Sequence, residues 1–162
     1  MTEDVKVRIG TPEDLDQVMQ LALQMHDEIG MTNVNPQNIL KEVYPSLHLD
    51  RGIMGIIGPS DAIEGGILLR VGRFFYSDDD VLEEKGVFIH SGFRSAKGGR
   101  ARKLCEFAKK TSDSMGMPLL IGVQNDVRTK GKLRLYERQF GEPIGAFFKY
   151  EPGSAALLEQ GR

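Results

Sequence analysis

Apolar and polar positions change period several times along the chain, and each change marks an element. Val5 to Ile9 alternates apolar with charged residues, the period of a half-buried strand. From Thr11 the period lengthens to that of a helix, with Leu15, Val18, Met19, Ala22, Met25 and Ile29 on one face. Thr11, Pro12 and Asp14 form a capping-box-like start, and Gly30 offers the stop. Asn35 and Pro36 repeat the cap-and-proline signal before a second stripe, Ile39, Leu40, Val43, Tyr44 and Leu47. Pro45 should shorten or kink that helix.

After Gly52 the pattern becomes one of strands. Ile53 to Ile57 is apolar, Gly58 to Asp61 is turn chemistry, and Ala62 to Val71 is a second extended run, together a β-hairpin. An acidic loop from Asp78 to Glu84 leads to a strand over Val87 to His90. A loop of small and basic residues follows, then a helix whose apolar positions are Ala101, Leu104, Cys105 and Ala108. Pro118 to Val123 reads as a strand, Val127 to Phe140 as a helix, and Pro143 to Tyr150 as a last strand. The order β-α-α-β-β-β-α-β-α-β predicts an α/β fold with a mixed, mostly antiparallel sheet flanked by helices. The unit from Val87 to Val123 should be a right-handed parallel crossover. One domain over residues 1–152 is expected, with 153–162 a loose tail.

Composition narrows the partners. With 21 basic and 23 acidic residues among 162, the formal net charge is −2, so a dedicated nucleic-acid binder is not expected. The lone Cys105 excludes an internal disulfide and suits a reducing compartment. No apolar run is long enough for a membrane span and no signal-peptide pattern opens the chain, so a cytoplasmic protein is expected. His26 and His48 have no companions at ligand spacing, and no metal is assigned.

Chemistry concentrates between Gly86 and Phe107. Arg94, Lys97 and Arg100 cluster where a helix begins, and a helix start carries unpaired N–H groups and partial positive charge. Alone, such a cluster is more readily a solvated helix start than a phosphate cradle.

Two motifs tilt that balance, because they resemble the GNAT superfamily of acyl-CoA-dependent N-acetyltransferases. Arg94-Ser95-Ala96-Lys97-Gly98-Gly99, continuing into Arg100-Ala101, is similar to the family's pyrophosphate loop, with Lys97 where the family has a glycine. Leu135-Tyr136-Glu137-Arg138-Gln139-Phe140-Gly141 is similar to its closing motif. The stretch from Tyr76 through Ser95 also looks like bacteriophage-encoded members.

The resemblance implies acetyl-CoA as co-substrate. Pantetheine would run along the backbone of Phe88, Ile89 and His90, and the pyrophosphate would sit on the amides from Arg94 to Ala101. Thr129 fills the position of a family asparagine that binds the cofactor, with Asn125 nearby. Tyr136 matches the tyrosine that protonates the departing thiolate. Glu84 is the first choice of general base, with Glu83, Glu64 and His90 behind it. The acceptor would be a primary amine of a small molecule, a peptide or a protein, and a homodimer is conceivable through an exposed terminal strand. Two other readings stand beside this one: a catalytically silent acyl-CoA sensor, and a nucleic-acid or phosphoprotein binder using the basic helix start.

Overall fold

The computed structural model describes residues 5–94, 99–123 and 129–153. A five-stranded sheet in the order β1-β2-β3-β4-β5 carries the fold. Its strands are β1 (Arg8–Ile9), β2 (Gly52–Ile57), β3 (Gly65–Gly72), β4 (Val81–Ile89) and β5 (Leu119–Leu120). The first four pair antiparallel, and β5 joins β4 in parallel after the crossover through α3 (Arg100–Met115).

Two helices precede the hairpin, α1 (Leu15–Ile29) and α2 (Pro36–Leu47). The predicted stripe of α1 buries Val18, Ala22 and Met25 with Val43 and Leu47 of α2 against Met54, Ile56, Leu68 and Phe88. On the other face, Leu104 and Ala108 of α3 cover Ile57, Ile67, Leu69 and Leu82. Each fully buried aliphatic side chain contributes about 1.5–3 kcal/mol, so the two clusters fix the sheet between its helices. Close approach of α3 depends on Gly55, where a Cβ would meet the Phe107 ring at 2.6 Å.

The start of α1 is tied to the sheet by an ion pair. Asp14 is fully buried, takes the Arg8 fork at 2.9 and 2.8 Å, and accepts the Thr11 N–H at 2.8 Å. Burial alone would raise its pKa; the Arg8 fork and the Thr11 amide overcome that and hold it at about 2.

Several boundaries differ from the sequence reading, each for a local reason. The first strand keeps only Arg8–Ile9, while Val5 and Val7 pack beside α3's cluster without pairing. The hairpin turn extends to Glu64, whose N–H returns to the Ile57 carbonyl at 2.8 Å, so β3 starts at Gly65. Pro45 lies inside α2, which ends two residues later, and the Ser46 hydroxyl donates to the Glu42 carbonyl at 2.8 Å. The acidic loop is shorter than predicted because β4 begins at Val81, which places Glu83 and Glu84 in the sheet. A final helix, α4, spans Thr129–Phe140. The predicted last strand is absent: 143–150 pairs with no strand of the described residues, which leaves β5 at the edge.

Candidate functional site

The sheet opens where β4 and β5 part. Among the described residues their pairing covers Leu82↔Leu119 and Glu83↔Leu120, yet β4 continues to Ile89 with β3 alone beside it. A bulge opposite Leu68/Leu69 bends β4 next to Glu84, a device that sheets use to re-aim side chains. In an antiparallel ladder alternate residues turn their polar groups to the same neighbour. His90 gives its N–H to the Glu64 carbonyl at 2.9 Å, so His90 and Phe88 face β3, and Val87 and Ile89 face the gap. Of the three residues expected to line it with backbone, only Ile89 does, and Val87 is an addition. The Ile89 carbonyl already accepts from Arg94 Nε at 3.0 Å.

Below that edge lies a group of coupled ionisable side chains. Glu84 sits two residues beyond Leu82 and so shares the sheet face under α3. Burial pushes its carboxyl up to about 7, against the lowering pull of Lys132 and Lys85. Burial also raises Tyr136 on α4, and the charge of Glu84 raises it further. Cys105 is pushed up to about 12 by burial and then by Glu84, so its thiol is inert at neutral pH. The structure therefore brings Glu84 and Tyr136 together, although 52 positions separate them in the chain.

The start of α3 fits an anion. Gly99 precedes it at φ +59° and offers no side-chain cap, which leaves first-turn N–H groups for a ligand. Arg100 is buried, donates to Glu64 through Nη2 at 2.6 Å and Nε at 3.2 Å, and lies 4.4 Å from the Phe93 ring centre. Its Nη1 has no hydrogen-bond partner among the described residues. A buried guanidinium nitrogen without an acceptor is costly unless a ligand oxygen completes it. Arg94 has a different fate: Nη2 pairs with Glu28 at 2.9 Å. Ala101 is the second residue of α3, and Ser95, Ala96, Lys97 and Gly98 lie outside the described residues, as do Asn125 and 154–162. Thr129 opens α4.

The remaining base candidates are engaged elsewhere. Glu64 holds Arg100, Glu83 pairs with Lys85 at 3.1 Å, and His90 Nδ1 accepts the Gly92 N–H at 3.1 Å. His26 carries more than its isolated place in the sequence suggested. It is half-buried, its ring meets Phe88 edge-on at 6.5 Å, and burial lowers its pKa. It also lines two clefts on the α1/α2 side of β4. One, of about 750 Å³, lies between the end of α1, Asp27, Asn33, Lys149 and Glu151; the other, about 200 Å³, reaches Glu42, Lys85 and Phe88. A histidine one turn before a helix stop gives no sequence signal of that position.

Among the described residues no group of three or more potential metal ligands occurs, and no helix is long and apolar enough to cross a membrane. No protein-family profile matches the chain, and no curated protein matches it. Solved structures do. A possible acetyltransferase from Clostridium difficile 630 superposes with a TM-score of 0.67 at 16% identity, covering 92% of this chain and 98% of its own. AAC(6')-Iy, in complex with the bisubstrate analogue CoA-S-monomethyl-acetylneamine, gives 0.65 at 15% identity, with 91% and 97% covered. An aminoglycoside acetyltransferase from an uncultured soil metagenomic sample, in complex with sisomicin, gives 0.63 at 16%, with 91% and 96% covered. At these identities the likeness is one of fold.

Proposed function

We propose that this chain, whose fold is that of the GNAT-type acetyltransferases, moves an acetyl group from acetyl-CoA to the primary amine of a small molecule. One observation carries the reading: the open outer edge of β4 beyond Glu83, with Glu84 and Tyr136 coupled beneath it. Acetyl-CoA supplies an activated thioester. Val87 and Ile89 would hold pantetheine through their outward backbone, and the uncapped start of α3 with Arg100 Nη1 would hold the pyrophosphate, together with Ala101, Lys97 and the loop around it. Thr129, at the head of α4, is a further cofactor contact on this reading.

An amine arrives as an ammonium ion with a pKa of roughly 10 and must lose a proton before it attacks. Glu84, titrating at about 7, accepts that proton directly or through water. The freed nitrogen attacks the carbonyl carbon, the C–S bond breaks, and Tyr136 gives its proton to sulfur. The second amine proton restores Tyr136, and the first leaves Glu84 for solvent. The coupling has a useful direction. Once Glu84 is neutral, its charge no longer raises Tyr136, so the tyrosine becomes a better acid as the thiolate departs.

A small-molecule acceptor is favoured by the open cleft beside Asp27 and Glu151 and by the neighbour solved with sisomicin. Binding to a long polyanion is disfavoured, because Arg94, Arg102 and Lys103 pair with carboxylates and the formal net charge is −2. A catalytically silent acyl-CoA binder is the second reading, favoured by Arg94 occupying the Ile89 carbonyl.

Thermal unfolding with and without ligand tests binding, since a ligand of the native state raises stability by mass action. Acetyl-CoA should raise the midpoint for wild type and for Tyr136→Phe alike, whereas the variant should release thiol about 10²-fold more slowly. Unchanged turnover would remove the acid role of Tyr136. No shift at millimolar acetyl-CoA or CoA would end both readings.

A further inference from the structure

The turn between β3 and β4 holds three aromatic rings in solvent. Phe75 is 101% exposed, Tyr76 72% and Phe74 41%, at a connection that ordinarily takes small polar residues. The rings are ordered against one another: Phe74 and Tyr76 lie parallel with centres 5.4 Å apart, and Phe75 meets Tyr76 edge-on at 5.3 Å. The turn is pinned as well. Ser77 gives its N–H to the Phe74 carbonyl at 3.1 Å, and the Ser77 hydroxyl accepts the Asp79 N–H at 3.0 Å. Asp80 takes Arg73 Nε at 2.8 Å and lies 3.7 Å from Arg51 Nη2, which ties the turn to the residues leading into β2. Those residues hold an unusual backbone form. Leu49 has φ +56° with its side chain exposed, and Arg51 has φ +51°, a conformation that favours glycine. This end of the sheet therefore presents apolar side chains that folding does not bury, on a backbone that is held in place.

Charge selects the occupant. Residues 49–51 and 73–80 carry four carboxylates and two guanidinium groups, and Asp80 engages both guanidinium groups. Among the described residues Asp78 and Asp79 are exposed and lie in no ion pair. A phosphate backbone or an anionic membrane would be repelled by these carboxylates, so neither fits. An arginine side chain fits twice, because its guanidinium both stacks on a ring face and pairs with a carboxylate. We infer that this end of the sheet docks an arginine-bearing segment of a partner protein, whose guanidinium groups lie on Phe75 and Tyr76 and pair with Asp78 and Asp79. The rings and carboxylates are pre-organised, so little ordering entropy opposes the contact. The turn precedes β4, whereas the gap opens beyond Glu83 toward Ile89, the far end of a strand about 26 Å long at 3.3 Å per step. The inference is therefore independent of acetyl transfer.

The probe is a fluorescein-labelled peptide of Arg-Leu-Gly repeats, followed by anisotropy at low salt, where binding at about 100 μM or tighter is expected. Phe75→Ser leaves charge unchanged and removes a side chain that packs into no core, and it should weaken binding about 10-fold. Phe147→Ser removes an equally bare ring elsewhere and should change nothing. Replacing Asp78 and Asp79 together by Asn should weaken binding about 3-fold or more and flatten its salt dependence. In a ¹⁵N amide spectrum the peptide should shift residues 49–51 and 73–80. Shifts at 84–94 in their place, or binding that Phe75→Ser leaves intact, would overturn the inference. So would no binding at millimolar peptide, or tighter binding of an oligothymidylate or of phosphatidylserine vesicles.

Discussion

At the scale of single residues, the proposed chemistry rests on Glu84, and its environment has a consequence for stability. Its carboxyl is lifted from an ordinary value near 4.3 to about 7 by burial, so the folded state binds the proton more tightly than the unfolded state. The sign follows. Stability from this group is complete below about pH 4, declines as pH rises through 7, and is level above that. Glu84→Gln stays neutral throughout. The variant should therefore be more stable than wild type at pH 8 by up to about 3 kcal/mol, and nearly equal to it at pH 4. Urea titrations at the two pH values read this directly; an equal difference at both would mean that the carboxyl is not desolvated. A residue that lowers stability is the usual trade in a site built for proton transfer, the role proposed for Glu84.

The same scale shows what the sequence could disclose. Tyr136 is proposed from its motif, whose residues are adjacent in the chain. Glu84, the base candidate, reads in the sequence as part of an acidic loop. Its place in the sheet depends on where β4 starts and on the bulge beside it, which pairing with β3 decides. Arg94 and Arg100 looked equivalent as phosphate partners. Glu28 and Glu64 separate them, and those carboxylates lie 66 and 36 positions away, beyond the reach of local pattern.

At the scale of elements, the helices were the most legible part. A stripe such as Val18, Ala22 and Met25 is written in the period of the chain and only needs a flat surface to bury it. Strand ends were less so: β1 and β5 keep two residues each because a strand exists only as far as its neighbour does. On the proposed reading, the start of α3 is the element on which co-substrate affinity depends. Arg100→Gln removes the nitrogen without a partner, so it should weaken CoA binding by about 10- to 100-fold, the effect of one charged hydrogen bond. Pantetheine, which lacks the pyrophosphate, should lose little. Arg94→Gln should cost less than Arg100→Gln, because Glu28 already holds that guanidinium. Calorimetric titration of both ligands against both variants checks this, and equal losses for CoA and pantetheine would refute the cradle.

At the scale of the whole molecule, two helical layers enclose four antiparallel strands firmly, and the side beyond β4 is the open one. That asymmetry joins the site to the surface. Pairing between β4 and β5 stops at Leu120, and the gap opens beyond it. The segment predicted as a strand, Pro143 to Tyr150, has the period of one but pairs with no strand among the described residues. A fold of this kind was readable from the order of elements, but not the point at which the sheet stops pairing.

The most direct test of acetyl transfer at this gap is the rate of thiol release from acetyl-CoA, followed against pH with a panel of primary amines. For wild type, kcat/KM should rise tenfold per pH unit below about 7 and then flatten as Glu84 becomes the carboxylate. Glu84→Gln should be slower by about 10²-fold or more and lack that inflection. An absence of amine-dependent thiol release, or the same inflection in both proteins, would contradict the account.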